Sequence, residues 1–132
     1  LLTPVIKNSA DIVIGSRFIG KKLALFGKNK TPHRLHWIGN KGLTFIFNIL
    51  YNTKLTDVEP CYKIFKSGVL KSIEVASNRF EYDIELMCKA IKKGYKMAQL
   101  PIRFNPRSFK EGKKITWVDG IKAAYYMLKY RF

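Results

Sequence analysis

The feature that most constrains the fold is the alternation of short β-branched runs with helical patterns. Strands are predicted over residues 11–18 (D-I-V-I-G-S-R-F), 61–65 and 95–104, and the longest helices over residues 32–51 and 80–94. Shorter helical stretches are predicted over residues 1–8 and 67–73. This order indicates an α/β layer structure, in which ligands bind beyond the carboxyl ends of the strands.

The helical pattern over residues 80–94 has recognisable ends. Its apolar positions share one face, and Gly94 follows two lysines as a regular C-terminal stop. Glu81, Asp83 and Glu85 occupy its first turns, where acids favour the positive end of the helix dipole, and Glu85 can pair with Lys89. Dipole complementation explains two of these acids, and the third gives only a weak indication of function.

Two segments leave a choice between burial and a membrane surface. Residues 42–51 carry no charge, but the run is too short to span a bilayer, which needs about 20 apolar residues. We expect a fully buried helix there, in preference to one lying in a membrane interface. Residues 116–132 form an amphipathic helix rich in Trp, Tyr, Lys and Arg, which suits either a membrane surface or packing on the sheet.

The charge of the chain limits the kinds of partner. The 132 residues carry a net charge of +16, which attracts phosphate as nucleic acid, nucleotide or anionic membrane without choosing among them. Cys61 and Cys88 are far apart and read as free thiols. His33 and His36 have no third ligand near them, so a metal site is not expected at these residues.

Acids are rare in this chain, so the pair in L-T-D-V-E-P-C-Y-K-I-F, residues 55–65, needs a reason. One interpretation places Asp57 and Glu59, with Lys63, at the rim of a site for phosphate or sugar hydroxyls. The other is a polar loop before a strand, whose acids are only solvated. Periodicity alone favours the loop.

Basic residues follow two of the predicted strands. Arg17 lies just beyond the first strand and would suit a diphosphate, although it could equally pair with a nearby acid. Residues 105–115 combine Arg107, Lys113 and Lys114 with a flexible Gly112. This composition suits a loop that folds onto phosphate, and the alternative is a solvated basic loop.

Four segments in fixed order resemble the carboxyl-terminal half of family 2 glycosyltransferases of the dolichol-phosphate mannose synthase type. They are G-S-R-F at 15–18, T-D-V-E-P-C-Y-K-I-F at 56–65, F-E-Y-D-I-E-L at 80–86 and P-I-R-F-N-P-R-S-F-K-E-G-K-K-I at 101–115. The resemblance implies a GT-A fold, a mixed α/β sheet flanked by helices, here without its nucleotide-binding first half. Residues 1–115 would be the acceptor-side part, and residues 116–132 a juxtamembrane amphipathic helix.

The same resemblance implies an activity and its partners. A sugar would pass with inversion from a nucleotide-sugar donor to an acceptor such as a polyprenyl phosphate, at the cytoplasmic face of a membrane. The intact enzyme would use Mg²⁺ or Mn²⁺, but the D-x-D motif that holds the metal is not in this chain. We therefore expect the fragment alone to be inactive. Its oligomeric state is left open.

The resemblance also assigns roles to individual positions. Asp57 matches the acid that orients or deprotonates the acceptor, which reverses the preference from periodicity for this residue, and Glu59, Glu81 and Asp83 are further acceptor-side candidates. The sequence departs from the family pattern at Pro60 and Cys61, where Ser or Thr followed by Gly is common. The predicted donor- and phosphate-binding residues are Arg17, Arg34, Lys63, Arg107, Lys113 and Lys114.

The competing interpretation is a basic module without catalysis, which would bind nucleic acid or a membrane surface. A nucleic-acid module would show a contiguous basic stripe with exposed aromatic residues. The sequence contains no RNP, KH or helix-turn-helix signature, and six of its nine acids lie in the middle third. We therefore expect no specific nucleic-acid partner.

Overall fold

The computed structural model describes residues 1–20, 34–78, 81–103 and 116–132, and it has the α/β architecture that the sequence predicts. A small mixed sheet is flanked by helices. In chain order the elements are α1 (Thr3–Ile6), β1 (Ile12–Ser16), α2 (Arg34–Tyr51), β2 (Tyr62–Phe65), α3 (Ser67–Ser72), α4 (Glu81–Lys92), β3 (Met97–Pro101) and α5 (Trp117–Arg131).

The three strands are arranged in the order β2-β1-β3, so β1 is the central strand. It pairs antiparallel with β2, where Gly15 lies opposite Tyr62, and parallel with β3, where Ser16 lies opposite Pro101. All five residues of β1 are buried, as expected for a β-branched strand with neighbours on both sides. The carboxyl ends of β1 and β3 therefore meet at one edge of the sheet, and the chain enters β2 at that same edge.

Gly15 marks a close approach at this edge. A Cβ atom at position 15 would lie 2.8 Å from Ile102 Cγ2 and 3.3 Å from Tyr62 Cβ, which is too close for a larger residue without rearrangement. Ile102 also continues the pairing beyond β3, because its amide donates to the Ser16 carbonyl at 3.0 Å. The edge where the site lies is thus tightly packed.

The hydrophobic core is formed by the sheet and by helices α2, α3, α4 and α5. β1 contributes Ile12 and Ile14, and α2 contributes Phe47 and Tyr51, whose rings stack 4.7 Å apart. The Tyr51 hydroxyl donates to the Met127 carbonyl of α5 at 2.8 Å. The C-terminal helix therefore packs against the remainder of the fold, through a hydrogen bond as well as apolar contacts.

The ends of α4 and α5 follow their sequence signals. At the end of α4, Gly94 adopts φ of +82°, and the amide of Tyr95 donates to the Ala90 carbonyl at 3.2 Å, as in a Schellman motif. α5 begins with a capping box, in which the Thr116 amide donates to the Asp119 carboxylate at 2.7 Å. The predicted stop at Gly94 is confirmed.

The expectation that residues 42–51 are fully buried is wrong. Thr44, Phe47 and Tyr51 are buried, but Phe45 and Ile49 are 66% and 65% exposed. The reason is that α2 is apolar on two opposite faces, and only one of them contacts the core. Within the described residues, no helix is long and apolar enough to cross a membrane.

Candidate functional site

The centre of the candidate site is an ion pair between Arg17 and Asp57, 40 residues apart in the chain. Arg17 Nε donates to Asp57 Oδ2 at 2.7 Å and Nη2 donates to Oδ1 at 2.8 Å, so the pair is bidentate. The Arg17 amide also donates to Oδ2, at 3.2 Å. Arg17 directly follows β1, and the ion pair connects it to the segment that precedes β2.

Burial makes this pair a fixed unit. The Asp57 side chain is 0% exposed and the Arg17 side chain 16% exposed. Burial opposes the charged guanidinium, but the hydrogen bonds and charge of Asp57 raise the pKa of Arg17 above its usual value. The interpretation of Asp57 as a solvated loop acid is therefore wrong, and the alternative of Arg17 paired with a nearby acid is what the structure contains.

Glu59 is held by the same pair but through its main chain. Its carbonyl accepts from Arg17 Nη2 at 2.7 Å, and its amide donates to Asp57 Oδ1 at 3.2 Å. Burial of the carboxyl group raises the pKa of Glu59 to about 7, because it outweighs the attraction of Arg17 and Lys63. A carboxyl group that titrates near neutrality can exchange protons under physiological conditions.

A second network, which the sequence did not predict, ties the site to both strands. The hydroxyls of Ser16 and Thr56 lie 2.7 Å apart, and Gln99 Oε1 accepts from the Thr56 amide at 2.6 Å and from its hydroxyl at 2.8 Å. Lys41 of α2 donates to the Thr56 carbonyl at 3.1 Å. The sequence features that could have indicated this network are polar residues inside strands, Ser16 and Gln99, and a lysine, Lys41, in the largely apolar helix α2.

Lys63 and Asp83, both candidates from the sequence, are brought together. Lys63 Nζ lies 2.9 Å from Asp83 Oδ2, with the lysine side chain 7% exposed and the aspartate 56% exposed. This pair links β2 to the first turn of α4. Glu81 begins the same helix and is half-buried.

The remaining candidates are not joined to this cluster by a described contact. Arg34 begins α2, and none of the hydrogen bonds and ion pairs given above involves it. Arg107, Lys113 and Lys114 lie outside the described residues. Their predicted role in phosphate binding stays a prediction.

The described residues do not fit a divalent metal ion at this edge. Both Asp57 oxygens already accept hydrogen bonds from Arg17, so they are not available as ligands. Across the parts of the chain that the structure describes, no three His, Cys, Asp or Glu residues are grouped as a metal site would require.

α2 and α5 each present an apolar face to solvent. On α5 the exposed residues recur at helical spacing and include Trp117, which is 75% exposed. Exposed Lys122 and Lys129 border this stripe. We call the two faces together the outer apolar face, with Leu35, Ile38, Phe45 and Ile49 on α2 and Trp117, Ile121, Tyr125 and Leu128 on α5.

Two curated proteins that are similar to this chain are named as sugar transferases. The chain is 26% identical over 128 residues to a low-salt glycan biosynthesis hexosyltransferase of Haloferax volcanii, covering 97% of this chain and 30% of the relative. It is 25% identical over 130 residues to a UDP-N-acetylglucosamine–dolichyl-phosphate N-acetylglucosaminyltransferase of Methanococcus voltae, covering 97% and 50%. This chain is similar to glycosyltransferases.

A third relative, an uncharacterised protein of Methanocaldococcus jannaschii, is 25% identical over 130 residues, covering 97% of this chain and 51% of that protein. The glycosyltransferase-like chain thus spans about half, or less, of the length of the curated relatives it matches. No family model and no solved structure matches it.

Proposed function

We propose that this chain is the acceptor-side part of an inverting, family 2 glycosyltransferase with a GT-A fold. It would transfer a sugar from a nucleotide-sugar donor to a polyprenyl phosphate. The observation that carries the proposal is the buried Arg17–Asp57 pair at the carboxyl edge of β1, in a chain whose length aligns almost fully with named glycosyltransferases. Open α/β sheets bind ligands at this edge.

In this reaction an acceptor oxygen attacks the anomeric carbon as the nucleotide diphosphate leaves. A polyprenyl phosphate is already ionised and needs no strong base. Asp57 would therefore position the acceptor side of the site rather than remove a proton, since both its oxygens accept hydrogen bonds from Arg17. Cations, among them Arg17 and Arg107, would stabilise the charge of the leaving group. Mg²⁺ or Mn²⁺ in the intact enzyme would need ligands from outside the described residues.

The outer apolar face supports a location at the membrane. Apolar residues including tryptophan, bordered by lysines, are typical of helices that lie in the interface of an anionic bilayer. We propose that α2 and α5 rest on the cytoplasmic face of a membrane, where a lipid-linked acceptor would be presented. The M. voltae relative is named for a dolichyl-phosphate acceptor, which supports this choice.

The test is an assay of the full-length protein with a panel of nucleotide sugars and polyprenyl phosphate. Asp57→Asn and Arg17→Lys each remove the bidentate pair, and lysine does so while keeping the positive charge. We expect each to lower transfer by about 100-fold, the magnitude usual for misplaced catalytic groups. Glu74→Gln, an exposed acid after α3, is the matched control and should transfer at the wild-type rate. Undiminished transfer by Asp57→Asn would refute the assigned role.

A further inference from the structure

Glu59 is unusual because its main-chain groups are hydrogen-bonded, whereas an oxygen of its carboxyl group is not. The amide and carbonyl of Glu59 are fixed by Asp57 and Arg17, at 3.2 and 2.7 Å. Its Oε1 atom is buried, and it has no hydrogen-bond partner among the residues that the structure describes. Burying a carboxylate oxygen without such a partner is costly, which favours the protonated form.

The charged groups that act on Glu59 are Arg17, Asp57, Lys63 and Asp119, and each already has a partner of its own. Arg17 after β1 is paired with Asp57, and Lys63 of β2 is paired with Asp83 of α4 at 2.9 Å. Asp119 at the start of α5 accepts from the Thr116 amide. Arg17 and Lys63 attract an ionised Glu59, but each is also paired with another acid, and the burial of the Glu59 carboxyl group outweighs their attraction. This agrees with the elevated pKa of about 7.

We propose that Glu59 takes up and releases a proton at this site, and that its neutral form donates a hydrogen bond to the phosphate of an anionic acceptor. The inference rests on the proposed function, which it deepens by assigning the residue that contacts the acceptor. A protonated carboxyl group is a hydrogen-bond donor, whereas an ionised one only accepts and would repel phosphate. Asp57 cannot substitute, because Arg17 occupies both its oxygens.

The experiment compares the full-length wild type with Glu59→Gln, in which the side chain stays neutral and keeps a donor at every pH. Transfer to polyprenyl phosphate is measured between about pH 6 and 9, and the wild-type rate is divided by the variant rate so that titration of the acceptor cancels. The expected ratio falls about tenfold per pH unit above the pKa of Glu59. Glu74→Gln is the control and should leave the wild-type profile unchanged.

Two outcomes would overturn the proposal. A Glu59→Gln protein that is folded but inactive at every pH would mean that the carboxylate form is required, as for a general base. A ratio that is independent of pH would mean that no proton on Glu59 matters. The folded state of the variant is checked by its thermal melting curve, so loss of structure is not mistaken for loss of chemistry.

A measurement without turnover separates this proposal from the proposed function. The carboxyl ¹³C resonance of Glu59, assigned by its absence in Glu59→Gln, is titrated with and without a short-chain polyprenyl phosphate. We expect a pKa near neutrality that rises when the acceptor binds the neutral form. Wild-type protein that transfers no sugar but shows this rise would refute only the activity. A pKa unchanged by the acceptor would overturn the role of Glu59.

Discussion

A single buried acid, Glu85, fixes the position of the segment that precedes α4. Its carboxylate accepts from the amides of Ala76 and Ser77, each at 3.0 Å, and from Lys89 Nζ at 2.5 Å. Burial opposes this charge, but the hydrogen bonds from Lys89, Ser77 and Ala76 together lower the pKa of Glu85 far below its usual value. The third acid of this helix therefore has a structural explanation.

Glu85→Gln should lower the free energy of unfolding by about 2 kcal/mol at neutral pH, because a neutral amide replaces the buried carboxylate that accepts hydrogen bonds from Ala76, Ser77 and Lys89. Since the pKa of Glu85 is lowered in the folded state, its stabilisation is fully present above the unfolded value of 4.5 and is lost as the pH falls below it. Denaturant titrations at neutral and acidic pH measure both effects. The difference from wild type should shrink in acid, and a constant difference would contradict this account.

For individual residues, the sequence predicted a local contact but not a long-range one. The Glu85–Lys89 pair is local, four residues apart on one helix, and its prediction is confirmed. Arg17 and Asp57 were both candidates, but their pairing across 40 residues depends on the antiparallel register of β1 and β2. Periodicity does not determine such a register, so the partner of Asp57 could not be read from the chain.

Among the elements, local patterns located the strands and helices within a few residues. β1 occupies Ile12–Ser16 of the predicted 11–18 run, and α4 occupies Glu81–Lys92 of the predicted 80–94 run. The burial of α2 was not predictable, because an uncharged run indicates that a helix avoids water without indicating what covers each face. The structure covers one face with the core and leaves Phe45 and Ile49 exposed.

This exposed face leads to a prediction for α2 and α5 acting together. Ile49→Glu and Ile121→Glu each place a charge on the outer apolar face, at positions 65% and 60% exposed. Each should weaken binding to anionic lipid vesicles by about tenfold or more, because the burial of an isoleucine in the bilayer is lost. Flotation of the full-length protein with vesicles measures the bound fraction.

The matched control is Ser67→Glu, which adds the same charge at an exposed position of a different helix, α3. It should reduce vesicle binding only by the small electrostatic effect of one added negative charge. Equal losses in all three variants would mean that charge, and not the apolar face, governs binding. The proposed contact of α2 and α5 with the bilayer would then be refuted.

For the whole molecule, the net charge of +16 adds a long-range attraction to any polyanion. Alone, this charge does not distinguish a membrane enzyme from a nucleic-acid-binding module. The sequence argued against the nucleic-acid module by its missing motifs and its mid-chain acids, and not by its charge. The two interpretations differ in the second contribution to binding that is added to this attraction. A nucleic-acid complex depends on phosphate contacts that release counterions, whereas an interfacial helix pair adds burial of apolar surface, which salt does not screen.

Salt dependence should therefore separate the two interpretations. We expect binding to anionic vesicles to weaken as salt rises to about 0.5 M but to keep a salt-insensitive remainder, because the Debye length shortens while apolar burial persists. Binding to random-sequence DNA, measured in parallel by filter retention, should fall steeply with salt and be negligible under those conditions. Ile121→Glu should remove the remainder for vesicles and leave DNA retention nearly unchanged. Tight DNA binding at physiological salt, with no salt-insensitive vesicle binding, would favour the nucleic-acid module over the membrane-bound transferase.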